Sequence, residues 1–285
     1  MLEIVRFGFD ILAFTAVMVL IVLGLGVIAS MMGIFNFAHG ELVLLGAYTV
    51  FVVHGAGLNI WWGIALAPVV VGLFGVLLER SIIRHFYASP IIAMLGTYAI
   101  GLIIREIVRG LLGGQYRSVP EPWDGSWSTL GLNFSIWRTF IIVVTVGVIA
   151  GSWLYLNRTS FGLRVRGSLE NPMLARACGI STERLYTATF AFGAALAGLA
   201  GALVVPLYQL SADMGLRFLV QGFLSVMLGG VGTFEGPVLG AAAIGALASG
   251  LPWAVEPVLA DPLVFVIALI IVKLRPQGFI AGARK

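Results

Sequence analysis

Three polar side chains interrupt one of the most apolar parts of the chain. The segment GIFNFAHGELVLLGAY, residues 33–48, places Asn36, His39 and Glu41 within six positions, with Gly40 between the last two. Imidazole and carboxylate groups can transfer protons or bind ions, and such groups are rare and costly inside a membrane. The segment is therefore the first candidate for chemistry, although Asn36 is also a residue type that caps helices.

Sequence patterns of common catalytic and metal sites are absent from the chain. A phosphate-binding P-loop needs a lysine in G-x-x-x-x-G-K-[ST], and neither Lys273 nor Lys285 lies in such a pattern. The H-E-x-x-H pattern of zinc sites and the G-x-S-x-G serine are also missing, and the histidines are widely spaced at His39, His54 and His85. We therefore predict no catalytic residue, no metal site and no cofactor bound by this chain, which should not be an enzyme.

The composition predicts a membrane protein. Apolar residues make up 60% of the 285 residues and charged residues 11%, whereas a typical soluble domain has about 25% charged residues. The apolar runs are continuous, as in AFTAVMVLIVLGLGVIASMM, and do not alternate as membrane β-strands do. We predict an all-α polytopic membrane protein that forms one domain over residues 1–285. Its single cysteine, Cys178, excludes an internal disulfide.

Eight apolar stretches are long enough to predict helices that cross or enter the membrane, because a span needs about 20 residues. The seventh stretch is too long for one helix, and the sequence LGGVGTFEGPVLG interrupts it with glycines and a proline. We therefore predict eight or nine transmembrane helices, including a Gly/Pro-broken segment near 229–237. The predicted stretches cover residues 11–32, 36–53, 60–79, 90–112, 138–156, 185–208, 218–250 and 260–274.

Basic residues predict the orientation, because arginine and lysine concentrate in short cytoplasmic loops. They follow the third and the last predicted helices and crowd the connection after the fifth, so these three places should share the cytoplasmic side. They flank apolar spans and form no continuous basic face, so we predict no nucleic-acid partner. The basic residues of this side are Arg80, Arg84, Arg158, Arg164, Arg166, Arg176, Arg184, Lys273, Arg275, Arg284 and Lys285.

The connection at about 157–184 contains a short predicted helix. Asn171 followed by Pro172 favours a helix start, and Gly179 can adopt the left-handed conformation that ends a helix. One interpretation is a structured loop whose arginines only fix the orientation. The other is a helix that docks on a cytoplasmic partner, because its apolar ridge of Leu174, Ala177 and Ile180 needs a cover. The residues of this predicted surface are Glu170, Asn171, Leu174, Arg176, Ala177, Gly179 and Ile180.

Four segments together resemble a known family. They are NFAHGELVLLGAY, RACGISTERLYTATFAFGAALAGLAGAL, MLGGVGTFEGPVLGA and RPQGF, in this order along nearly the whole chain. The chain is similar in these segments to the integral-membrane permeases of ABC importers for branched-chain amino acids, a pattern that is shared with importers of urea and short-chain amides. Residues 113–137 carry no motif of the family.

The resemblance implies that this chain is one subunit of a transporter with several different subunits. A second homologous permease, in a heterodimer or a homodimer, would form the other half of the translocation pathway. Two cytoplasmic ABC ATPases would use ATP and Mg²⁺, and a periplasmic solute-binding protein would deliver the solute to segments near 113–137, 209–217 and 251–261. The loop at 170–184 would be the coupling helix, and the chain would be a multi-pass protein of a bacterial inner membrane.

Candidate residues of the pathway or its gate come from two glycine-interrupted segments, because transporters often bind solutes where helices are broken. For the first segment, a structural cap at the cytoplasmic membrane boundary is the alternative interpretation. For the whole protein, the alternative is an ion-coupled secondary carrier in which His39 and Glu41 titrate. A branched-chain amino acid is the first choice of solute, with urea or a short-chain amide as alternatives. The candidates are Asn36, His39, Gly40, Glu41, Gly229, Gly230, Gly232 and Glu235.

Overall fold

The computed structural model describes residues 2–87, 89–129 and 132–280, so Arg284 and Lys285 lie outside the described residues. Helices dominate this part of the chain. They are α1 Leu2–Met32, α2 His39–Gly55, α3 Ile60–Ser81, α4 Pro90–Leu112, α5 Ile136–Arg158, α6 Ser160–Glu170, α7 Pro172–Ala177, α8 Thr182–Val204, α9 Met214–Gly229, α10 Glu235–Gly250 and α11 Pro257–Leu274. Short 3-10 turns cover Ile83–Phe86 and Leu251–Trp253, and two antiparallel strands, β1 Ser126–Thr129 and β2 Leu132–Ser135, lie between α4 and α5.

The all-α membrane fold is confirmed. Six described helices are long and apolar enough to cross a membrane, and α2, α9 and α11 are shorter apolar helices of 17, 16 and 18 residues. These nine agree with the predicted count of eight or nine. The first helix begins nine residues before its predicted start, because the charged residues near the N-terminus end the apolar run without ending the helix.

Helix α8 lies at the centre of the bundle, where it packs against α1, α2 and α3. Its small residues allow these close approaches, as the four-residue spacing of Gly193, Ala197 and Gly201 predicts. A Cβ atom on Gly193 would lie 2.8 Å from the carbonyl oxygen of Gly24 in α1, and one on Gly201 would meet the backbone of Val43 in α2. The helix backbones are therefore in direct contact at the core.

The contacts of α1, α2 and α3 correspond to those of α8, α9 and α10, taken in the same order. Helix α3 packs against α8, and α10 packs against α1; α2 contacts both α8 and α3, and α9 contacts both α1 and α10. The two sets meet where α1 packs against α8 and α2 against α9. Helix α4 packs against this core with one face, which includes Ile100, Ile104 and Val108, and its other, broad face is exposed.

The predicted break in the seventh stretch is confirmed. Helix α9 ends at Gly229 and α10 begins at Glu235, and between them Gly230 and Gly232 have positive φ angles of 91° and 104° that favour glycine. The C-terminal RPQGF segment closes this break. Its backbone N–H of Phe279 donates to the carbonyl oxygen of Leu228 at 2.9 Å, which satisfies an acceptor at the end of α9 that no helical partner reaches.

The substitution Gly201→Ala should destabilise the bundle by about 1–3 kcal/mol, because the new methyl group would overlap the backbone of α2. Thermal unfolding in detergent, followed by tryptophan fluorescence, measures this loss. The matched control is Gly147→Ala in α5, where an added Cβ meets nothing within 4 Å. Equal melting temperatures for the two variants would contradict the close approach of α2 and α8.

Candidate functional site

Helix α2 begins deep inside the bundle. His39 Nε2 lies 3.0 Å from the carbonyl oxygen of Ile21 in α1 and donates to it, since a carbonyl only accepts. Ile21 precedes Met32, the last residue of α1, by eleven residues, which corresponds to about 16 Å along the helix. Residues 33–38 therefore turn back alongside α1. The expectation that this segment caps a helix at the membrane boundary is wrong.

Asn36 is not the N-cap of α2. The helix begins at His39 with Ala38 as its N-cap residue. The Asn36 side chain instead accepts a hydrogen bond from the backbone N–H of Ala38 at 3.0 Å, and Phe37 N–H donates to Thr97 Oγ1 of α4 at 3.0 Å. These bonds satisfy backbone groups of the returning segment, which has no regular secondary structure and lies away from water.

A buried ion pair joins the start of α2 to α4. The Arg105 guanidinium donates to Glu41 Oε1 through Nε, at 3.0 Å, and also through Nη2. Glu41 is 0% exposed and Arg105 is 7% exposed. The sequence analysis did not select Arg105, although an arginine inside the predicted span 90–112 was the available signal. Two charges of this kind are stable inside a protein only when they are paired.

A second ion pair lies one helical turn further along α4. Arg109 donates to Asp213 Oδ1 at 2.7 Å, and to Glu106 Oε1 of its own helix at the same distance. Asp213 is the N-cap residue of α9. Two residues later, the backbone of Gly215 touches that of Gly40. The N-termini of α2 and α9 therefore meet, and α4 is bound to both through arginine side chains.

The second predicted glycine segment lies far from this meeting point. Gly229 follows Gly215 by fourteen residues along α9, or about 21 Å. Gly230 packs against the C-terminal segment, Gly232 is exposed, and Glu235 accepts a hydrogen bond from Trp153 Nε1 at 2.9 Å. The structure thus does not bring the two predicted segments together. Asn36, His39 and Glu41 are buried rather than open to a cavity within the chain.

Polar contacts place the basic loops at one end of the bundle. Glu79 of α3 accepts hydrogen bonds from Tyr87, at 2.8 Å, and from Thr187 of α8, at 2.6 Å, and it lies 3.8 Å from Arg84. Burial and the Glu79 carboxylate raise the pKa of Tyr87, so its hydroxyl keeps the proton that it donates. Arg80, the next residue along α3, is exposed, whereas Glu79 is turned into the bundle.

Helix α7 lies on this arginine-rich end and forms as predicted. Asn171 is its N-cap, with Oδ1 accepting from Leu174 N–H at 2.9 Å, and Gly179 has a φ of 79°. Ala175 is buried underneath, whereas Met173 and Leu174 are 82% and 61% exposed.

The exposed ridge of α7 differs from the predicted one at its C-terminal end. Ala177 is exposed as expected. Ile180 is instead half-buried against a small apolar cluster, and Met173 is an exposed apolar residue that the prediction did not include. Arg176 donates to Thr182 Oγ1 at 3.0 Å, and Glu170 is exposed at the end of α6, a helix that the sequence analysis did not predict. The surface is therefore apolar at its centre with charges beside it.

Comparison with known proteins decides the family. The family model described as the permease component of branched-chain amino acid transport systems matches residues 8–273. The chain belongs to this family. The permease is a transport subunit of the ABC type and not an enzyme, and ATP hydrolysis is carried out by separate ATPase subunits.

Individual relatives agree with this assignment. The permease is 24% identical over 278 residues to the high-affinity branched-chain amino acid transport system permease protein LivH of Escherichia coli K12, covering 92% of this chain and 90% of LivH. It is 27% identical over 248 residues to a probable LivH of Methanocaldococcus jannaschii, covering 81% and 76%. PsaBC from Streptococcus pneumoniae in complex with Fab shares the fold, with a TM-score of 0.50 at 13% identity, covering 94% of this chain and 91% of that one.

The substitution Arg105→Met should destabilise the permease by about 3–5 kcal/mol, because it leaves the Glu41 carboxylate buried without a partner. The double variant Glu41→Gln with Arg105→Met should recover part of this loss, since no unpaired charge remains. Thermal unfolding of the wild type, both single variants and the double variant gives the coupling energy. Arg138→Gln, which breaks the exposed pair with Asp10, is the control and should change stability by less than about 1 kcal/mol. Additive effects at Glu41 and Arg105 would contradict a buried pair.

Proposed function

We propose that this permease forms half of the translocation pathway of an ATP-driven importer, with a branched-chain amino acid as the solute. Membership of the family supports the transport role, and the relatives named for branched-chain amino acids support the choice of solute. Urea and short-chain amides remain the alternative solutes. The observation that carries the proposal is helix α7, an exposed apolar surface held at the arginine-rich end between two membrane-spanning helices.

An ion-coupled carrier is less well supported by the contacts of its candidate groups. Such a carrier needs side chains that reach water and exchange ions. Glu41 Oε1 and His39 Nε2 are both held inside the bundle. Glu41 Oε1 accepts two hydrogen bonds from Arg105, and His39 Nε2 donates one to a backbone carbonyl. These contacts favour a role for Glu41 and His39 in positioning α2 over a role in ion coupling.

The coupling surface of α7 faces the cytoplasm in the proposed arrangement. Basic residues at the ends of α3 and α5 and throughout 157–184 favour this side, by the positive-inside rule. One of the two ABC ATPases would cover Met173 and Leu174, and the two ATPases would bind the ATP and Mg²⁺ that this chain does not. A second permease subunit and a solute-binding protein complete the importer, and the membrane is a bacterial inner membrane.

The two glycine segments have different proposed roles along the pathway. The first, with Asn36, His39, Gly40 and Glu41, sits where α2 and α9 meet and is proposed as part of the gate. The second, with Gly229, Gly230, Gly232 and Glu235, lies at the arginine-rich end and is proposed as a hinge. Its two positive-φ glycines and its contacts with the C-terminal segment support a point where α9 and α10 can change their angle.

Reconstitution into liposomes tests the proposed function. We expect leucine uptake only when this chain is assembled with the second permease, the ATPases and the binding protein, and only when ATP is present on the ATPase side. A chain that accumulates leucine alone under a proton or sodium gradient would instead be a secondary carrier. Uptake of urea but not leucine by the complete assembly would assign the alternative solute.

The substitution Met173→Asp should prevent association with the ATPases, because it places a charge in an apolar contact. Co-purification of the ATPases with the permease measures this, and ATP-driven uptake should fall with it. Val258→Asp is the matched control for co-purification alone, since Val258 is also 82% exposed but lies in the first turn of α11, in the segment expected to receive the binding protein. Normal co-purification of the Met173→Asp variant would show that α7 is not the coupling surface.

A further inference from the structure

Five charged side chains share an exposed face on three apolar helices. Glu106 and Arg109 of α4 lie beside Asp213 at the start of α9, and Arg217 of α9 lies beside Asp261 of α11. Their side chains are between 41% and 63% exposed. We call this set the charged face. Neither the gate residues nor the coupling surface includes any of them, and Asp213, Arg217 and Asp261 fall within the segments 209–217 and 251–261 that are expected to receive the solute-binding protein.

The charged face lies at the ends of its helices, beside the buried start of α2, because Arg109 is in the last turn of α4 and Asp213 is the N-cap residue of α9. Arg109 follows Arg105 by one helical turn, or about 6 Å, and Arg105 is fixed by Glu41 at the buried start of α2. Asp213 is two residues from Gly215, whose backbone touches Gly40 at the same buried start. These contacts keep Arg109 and Asp213 within about one helical turn of the start of α2. There, His39 contacts Ile21 in α1.

Lipid is a poor cover for such a face. Charged side chains within membrane-spanning segments face water-filled cavities or protein and not hydrocarbon, because lipid cannot solvate them. Exposed positions elsewhere fit lipid, as Val143 and Val146 in the middle of α5 do with 64% and 61% exposure. The charged face therefore requires water or polar protein opposite it.

We propose that the charged face lines the outer half of the translocation pathway, opposite the second permease subunit, and that Asp213 and Arg217 contact a zwitterionic solute there. This inference rests on the proposed function. Asp213 and Arg217 are four residues apart and lie on the same side of α9, so they present opposite charges about one turn apart. An α-amino acid carries its ammonium and carboxylate groups within that span.

The charge balance of the face favours this solute over a neutral one. Arg109 is shared by two carboxylates, Glu106 and Asp213, which leaves one negative charge in excess for an ammonium group. Arg217 is held only loosely by Asp261, at 3.4 Å, and is free to turn towards a carboxylate. Directly behind the face, Glu41 Oε2 is buried and has no hydrogen-bond partner among the described residues, so it can accept from a further donor.

Cysteine accessibility tests the lining role in the assembled transporter. In a Cys178→Ser background, Asp213→Cys and Arg217→Cys should react with a membrane-impermeant thiosulfonate added from outside. Val146→Cys, equally exposed in α5, should react at least about tenfold more slowly, because a thiolate forms poorly in lipid. Equal rates at all three positions would overturn the inference.

Transport measurements test the solute contact. Asp213→Asn and Arg217→Gln should each lower leucine uptake by about tenfold or more, since a hydrogen bond to a charged group contributes a factor of this order. Basal hydrolysis of ATP by the assembled complex, measured without the binding protein, should be retained, which separates loss of the contact from loss of assembly. Asp10→Asn is the control, because Asp10 is an acid of α1 that pairs with Arg138 and belongs to none of the ion pairs of this face.

The outcomes separate this inference from the proposed function. A wild-type assembly that shows no ATP-dependent leucine uptake contradicts the proposed function itself. A wild-type assembly that transports leucine, with Asp213→Asn and Arg217→Gln variants that transport it equally well, overturns the inference alone.

Discussion

The buried ion pair between Glu41 and Arg105 is the constraint around which the centre of the molecule is arranged. Two charges in an apolar bundle must be paired, and neither can move to lipid without a large loss of free energy. The pair therefore fixes α4 against the start of α2. Because Gly40 adjoins Glu41 and touches Gly215, the start of α9 lies beside the same pair.

Close backbone contacts make this arrangement possible. Helices in lipid gain little from burying apolar surface against one another, so they associate through tight packing of small residues and through polar contacts. Helix α8 provides the tight packing with Gly193 and Gly201, whereas α4 is joined to its neighbours by arginine and threonine side chains.

In the proposed mechanism, the two ends of the molecule have different roles in transport. At the arginine-rich end, α7 presents Met173 and Leu174 on a rigid base made by Ala175 and the Asn171 cap. The hinge at 229–235 lies at the same end, where Glu235 contacts Trp153 near the end of α5. In this proposal, a displacement of α7 would be passed through α5 and the segment 229–235 to α9, whose other end meets α2.

The sequence alone determined the apolar helices, the break after Gly229 and the Asn171 cap, because each depends on residues that are neighbours along the chain. It also identified Glu41 as unusual. Only the tertiary structure decided that Glu41 pairs with Arg105, 64 residues away, and that α2 begins deep inside the bundle instead of at the boundary. The depth of a helix start and the partner of a buried charge depend on which helices pack together, and this is set by contacts between distant segments.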